Sequence, residues 1–111
     1  YTMAFWDWGE YEAFLDWAAM SGVNLVLDIV GQEEIIRRLL TEYGYTHDEI
    51  KEYIVGPGYF AWYYMQNITT WGGPLPDNWF EERVELGRKM HDRLVARSVG
   101  TGYSRCNRFR T

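Results

Sequence analysis

The chain has 111 residues with 16 acidic and 11 basic side chains, a formal net charge of -5, which removes the electrostatic case for holding a phosphate backbone. Hydrophobic residues make up 47% and charged residues 24%, so a packed core is expected and wholesale disorder is excluded. A lone cysteine, Cys106, gives neither an internal disulfide nor a thiolate cluster for a metal, and no run approaches the roughly 20 apolar residues of a membrane span.

The chain opens at Tyr1 without a starting Met, a basic n-region or an apolar h-region, so the start of the gene product, and any export signal with it, is expected upstream. Asp7 followed by Glu10 has the form of a capping box. Tyr11, Phe14, Leu15 and Ala18 then share one face at helical spacing, and Gly22 can end the helix; the spacing predicts an amphipathic helix over Asp7 to Ser21. Val23 to Val30 is a nearly continuous aliphatic run of the kind found in parallel strands buried on both faces. Gly31 ends it, and Gln32-Glu33-Glu34 opens a second helix whose later Arg37 and Arg38 match the helix dipole.

Thr46 and Glu49 form a second capping box before a short helix that must stop at Gly56-Pro57-Gly58. The aromatic run Tyr59 to Met65 is ambiguous between helix and strand. Trp71 to Asp77 reads as a loop, and Asp77 or Asn78 can cap a long surface helix running to about Arg97, with Val84, Met90 and Leu94 on its apolar face. From Ser98 to Thr111 the chain has Arg105, Arg108 and Arg110, no acidic residue and no clear period. A parallel strand is expected after the long helix, and the pattern shows none. Helix, buried strand, helix is the signature of an α/β protein. A lone strand buried on both faces needs neighbours for its hydrogen bonds, so the pattern predicts partner strands outside this chain.

Few residues stand out as chemistry. In an α/β barrel the working groups sit just beyond the C-terminal ends of strands, which singles out Glu33 as the best local carboxylate, against its plain role as a first-turn glutamate. Glycoside hydrolysis needs two carboxylates facing each other across a bond; Glu33 and Glu34 are neighbours on one helix and point in different directions. His47 and His91 belong to no metal-ligand spacing, and no phosphate loop, nucleophile elbow or CxxC is present. Asn67-Ile68-Thr69 matches an N-glycosylation sequon. The unusual number is the aromatic share of 18%, with six Trp and nine Tyr, many of them within residues 1–17 and 59–71. Such rings suit cores and, equally, the apolar faces of pyranose sugars.

One ordered series of rare residues carries more information than any single motif. Phe5-Trp6-Asp7-Trp8, Asp16-Trp17, Gly22-Val23-Asn24-Leu25, Gly31-Gln32-Glu33, Gly56-Pro57, Ala61-Trp62-Tyr63-Tyr64-Met65, Asn67 and Trp71-Gly72-Gly73-Pro74-Leu75-Pro76 with Trp79 closely resemble the α-N-acetylglucosaminidases, glycoside hydrolase family 89, over roughly residues 1–94. The resemblance implies an α/β chain forming an incomplete, N-terminal part of a (β/α)8 TIM barrel, over residues 1–97, followed by a divergent tail at 98–111. It implies a parent enzyme that removes terminal α-linked N-acetylglucosamine from the non-reducing ends of glycans or glycosaminoglycans, with retention and with no metal or organic cofactor. Its two catalytic glutamates would lie downstream of the matching region, so this chain is expected to be inactive alone. Trp62 and Met65 map to the family's sugar pocket, Trp62 walling the ring and Met65 packing beside it. A carbohydrate is thus the expected partner, with no nucleic acid or membrane, and a secreted, periplasmic or lysosomal parent is implied.

The series departs from the family at three places. Ile36 stands where an aromatic often follows the Gly-Gln-Glu segment, Thr69 stands where His or Glu is common, and Arg97 to Thr111 replaces a barrel strand rich in Pro and Val. A frameshift, premature stop or gene-model error is the favoured account of that tail. The competing readings are a small carbohydrate-binding module that uses Trp62 and Trp71 as a platform, and an acidic, partly helical interaction module; the lone strand argues against both.

Overall fold

The computed structural model describes residues 2–101; the greater part of the tail read at 98–111 lies outside the described residues. The elements in order are a 3-10 turn at Thr2–Phe5, α1 (Trp8–Met20), β1 (Leu25–Val26), α2 (Gln32–Glu42), α3 (His47–Tyr53), a 3-10 turn at Pro57–Tyr59, α4 (Phe60–Tyr64), α5 (Trp79–Ala96) and β2 (Gly100–Thr101). The chain divides into two compact units: Glu33–Phe80 with the residues up to Phe5, and Trp6–Gln32 with the chain from Glu81 onward. No helix among the described residues is long and apolar enough to cross a membrane.

In the unit that contains α1, the capping box forms as expected: Gly9 N donates to Asp7 Oδ1 at 3.1 Å while Asp7 N donates to Glu10 Oε2 at 3.1 Å. Tyr11, Leu15 and Ala18 are the buried face of α1. Tyr11 and Leu15 pack with Leu86, Met90, Leu94 and Val99 in one cluster, edged by Trp6, Phe14, Val26 and Val30. Arg93 locks α5 to α1 through a bidentate pair with Asp16 at 2.9 and 2.6 Å, a fork geometry that only the planar guanidinium offers.

Among the described residues of this run only Leu25–Val26 is paired, and Leu25 and Leu27 are 64% and 69% exposed whereas Asp28 is buried; the uncovered side is where neighbours from outside this chain are expected. The strand reading needs one correction: the strand missing from the sequence pattern is present. Ser98 takes a left-handed φ of 58° after α5, Val99 N donates back to Leu94 O at 2.9 Å, and the chain turns so that Gly100 and Thr101 pair in parallel with Leu25 and Val26. Parallel pairing across a helical crossover is the α/β connection. A two-residue pairing carries no periodicity, which is why the sequence did not display it.

In the other unit, Ile50, Ile54, Val55, Phe60, Leu75, Trp79 and Phe80 form the core, edged by Ile36, Leu40, Tyr63, Tyr64 and Ile68. The second capping box forms, with Glu49 N donating to Thr46 Oγ1 at 3.3 Å and Thr46 N to Glu49 Oε2 at 2.8 Å, and α3 ends at Tyr53, three residues before the Gly56-Pro57 step. The ambiguous aromatic run is helical: Pro57 opens the 3-10 turn and α4 follows directly. Asp77, offered with Asn78 as a helix cap, accepts from Lys51 Nζ, and α5 begins at Trp79, directly after Asn78.

Candidate functional site

Every residue of the expected sugar site lies in the unit built around α3 and α4. With five residues, α4 has room for two faces. Phe60 and Tyr64 turn inward, their rings 5.5 Å apart, with Phe60 edge-on to Trp79 at 5.7 Å. Trp62 and Met65 are spaced i, i+3 and share the opposite side, where they are 37% and 60% exposed. Packing one face of α4 into the core is what turns the other outward.

Glu33, singled out as the best local carboxylate against a plain role in the first turn of its helix, is enclosed. It is only 2% exposed, and the Tyr64 hydroxyl donates to its Oε1. Beside it, burial first, and then Tyr53 and Glu33, push the Tyr63 phenol up to about 12. A buried carboxylate bonded to a phenol fixes the inner face of α4, so the geometry makes Glu33 a support for the helix that presents Trp62 and Met65. The neighbouring Glu34 turns to Arg37 and Arg38, with contacts of 2.6 to 2.8 Å. Against the desolvation that would raise it, these two guanidinium groups hold its carboxyl below the usual range. The two glutamates do not face a common space, as their adjacency predicted.

Tyr59 was not singled out by the sequence, yet it joins the exposed rings together. Its ring centroid lies 5.9 Å from that of Trp62 and 6.2 Å from that of Trp71, both tilted. The loop bearing Trp71 is held against the start of the 3-10 turn by Gly56 N, which donates to Trp71 O at 2.6 Å, and Thr70 N donates to Tyr53 O at 3.0 Å. Backbone meets backbone here: a Cβ on Gly56 would lie 2.0 Å from the Gly72 carbonyl oxygen, and one on Gly72 would lie 2.6 Å from two carbons of the Tyr59 ring. The Gly-Pro-Gly and Gly-Gly-Pro segments were the available signal for this close approach.

A cavity of about 450 Å³ opens between Leu40, Tyr45, Tyr53, Glu52 and Thr70, but neither Trp62 nor Met65 lines it. Asn67 and Thr69 are exposed. His47 stands edge-on to Phe80 at 5.9 Å and 3.6 Å from Asp77. Among the described residues no group of three or more His, Cys, Asp or Glu is placed to hold a metal.

This geometry can be set beside known proteins. Residues 1–100 match the family described as the alpha-N-acetylglucosaminidase (NAGLU) TIM-barrel domain. The chain belongs to the alpha-N-acetylglucosaminidase family. It is 40% identical over 100 residues to the human alpha-N-acetylglucosaminidase, covering 90% of this chain and 13% of that protein. A family 89 glycoside hydrolase from Clostridium perfringens, solved with 2-acetamido-1,2-dideoxynojirmycin, is 65% identical with a TM-score of 0.87 over 90% of this chain and 11% of its own. The same values hold for the Clostridium perfringens protein carrying two glutamate-to-glutamine substitutions, solved with its substrate GlcNAc-alpha-1,4-galactose. The chain thus carries part of a TIM barrel, and spans between about a tenth and an eighth of these relatives' lengths. The match through residue 100 includes the first residue of β2.

Proposed function

We propose that this chain supplies an early segment of the barrel of a retaining glycoside hydrolase that removes terminal α-linked N-acetylglucosamine, and that Trp62 and Met65 form part of the wall of its sugar site. The observation that carries this reading is the exposure of Trp62 on α4 and of Met65 at its C-terminal cap in a chain 65% identical to a protein that takes GlcNAc-alpha-1,4-galactose as substrate. A pyranose offers an apolar C–H face to the negative face of an indole, and a thioether fills the irregular space beside it. Glu33 is committed to Tyr64 and Glu34 to two arginines, which leaves no opposed carboxylate pair among these residues for acid/base and nucleophilic roles. Hydrolysis by the chain alone is therefore expected to be absent.

The test has two readouts on the purified chain. Incubation with an aryl α-N-acetylglucosaminide should release no phenol, and titration with GlcNAc-alpha-1,4-galactose should change tryptophan fluorescence in wild type but not in Trp62→Ala. Turnover by the chain alone would overturn the first part, and a saccharide response unchanged by Trp62→Ala the second.

A further inference from the structure

We propose that Trp71 provides a second sugar-stacking face beyond Trp62, so that the ring array Trp62–Tyr59–Trp71 receives a saccharide of at least two residues; this rests on the saccharide reading of Trp62 given above. The argument starts from the loop. An exposed tryptophan on a surface loop ordinarily has freedom to move, because few groups restrain the backbone beneath it. Here the backbone beneath Trp71 is held on both sides: Gly56 N bonds its carbonyl at 2.6 Å and Tyr53 O accepts from the preceding Thr70 N at 3.0 Å. Two glycines make the approach so close that neither position has room for a methyl group.

Yet the indole this loop positions stays 60% exposed. Its neighbour is Tyr59, 39% exposed, whose ring is in turn backed by Gly72 and lies 6.2 Å from that of Trp71 and 5.9 Å from that of Trp62. Burial of the Trp71 ring does not account for such a restrained loop, whereas contact with a ligand does: a contact ring must be fixed in advance to bind without a large ordering loss. Two exposed indoles that share one tyrosine neighbour offer two apolar faces edged by N–H and O–H groups, which suits consecutive pyranose rings better than one.

The experiment uses the 111-residue chain and two probes, N-acetylglucosamine and GlcNAc-alpha-1,4-galactose, with binding followed by chemical shifts of the indole N–H resonances. The disaccharide is expected to move the Trp71 signal, and Trp71→Ala to weaken the disaccharide about tenfold, a usual loss for truncating a central aromatic contact, while leaving the monosaccharide unchanged. Trp62→Ala should weaken both. Trp71→Phe keeps an aromatic face and should retain most of the disaccharide affinity, which separates stacking from damage to the loop.

If Trp71→Ala binds the disaccharide as wild type does while Trp62→Ala fails, the second face is refuted and the reading of Trp62 stands. Equal losses for both sugars, or equal losses from Trp71→Phe and Trp71→Ala, also refute it. If wild type binds neither sugar, the saccharide reading fails and the second face with it.

Discussion

Replacing single glycines by alanine separates two physical terms in the unit that carries Trp71. Gly44 has a φ of +90° with nothing within 4 Å of where a methyl group would sit, whereas Gly56 has an ordinary φ of -65° but would place its Cβ 2.0 Å from the Gly72 carbonyl oxygen. Gly44→Ala thus meets left-handed strain of about 1–2 kcal/mol and no clash. The narrower unfolded ensemble of alanine returns roughly 0.4–1 kcal/mol, so a net loss near 1 kcal/mol is expected. Gly56→Ala meets no strain but must move backbone against backbone, and overpacking of that kind costs about 3 kcal/mol or more when the neighbour cannot rotate away; the net loss should be 2–3 kcal/mol. At roughly 4–8 °C per kcal/mol for a domain of this size, the two melting temperatures should differ by on the order of 10 °C. Thermal unfolding followed by circular dichroism reads this directly, and both sites lie in the same unit. A Gly56→Ala protein no less stable than Gly44→Ala would show that the loop is not packed as described, and would remove the restraint on which the role of Trp71 depends.

Tyr64→Phe deletes the hydroxyl that donates to buried Glu33 and should lower stability by about 1.5–3 kcal/mol, measured by urea unfolding; a loss under about 0.5 kcal/mol would contradict the support assigned to Glu33. Two aspartates should respond to pH with opposite sign. Arg93 foremost holds the Asp16 carboxyl below its ordinary 3.8, so its stabilisation is present above that value and lost as pH falls through the lowered one; Asp16→Asn should flatten the acid limb of the stability curve. Burial raises the Asp28 carboxyl, so the folded state holds its proton longer and stability falls as pH rises past 3.8 through the raised value. Asp28→Asn, which keeps an acceptor for Val30 N, should stabilise the chain at neutral pH and change little near pH 3; the reverse order would overturn the assignment. For the tail read at 98–111, resequencing the coding DNA across Leu94 to Thr111 tests the frameshift account: another frame that resumes barrel sequence would support it, and a confirmed stop with no barrel sequence following would refute it.

Both capping boxes were legible because each lies within four residues: Asp7 with Glu10 and Thr46 with Glu49 need no tertiary information. The apolar spacing of Tyr11, Leu15 and Ala18 and the breaker at Gly56-Pro57 were readable for the same reason. What escaped was non-local. The pairing of Gly100 with Leu25 depends on how α5 ends, at a serine rather than a glycine in the left-handed position, and the Lys51 partner of Asp77 lies 26 positions away. At the site, the resemblance pointed to Trp62 and Met65 but not to the helix beneath them, and the Tyr64 hydroxyl that encloses Glu33 comes from 31 residues away. Tyr59 was one aromatic among many until Gly56 and Gly72 brought the Trp71 loop onto it.

The most direct test of the account is a chimera. Residues 1–100 of this chain replace the 65%-identical segment of the Clostridium perfringens family 89 enzyme, and hydrolysis of GlcNAc-alpha-1,4-galactose is measured for the chimera and for its Trp62→Ala variant. The account predicts a folded, active chimera whose kcat/KM falls about tenfold or more with Trp62→Ala, the size expected for loss of a stacking wall. A chimera that melts cooperatively like the parent enzyme yet fails to hydrolyse the disaccharide, or one indifferent to Trp62→Ala, would contradict it.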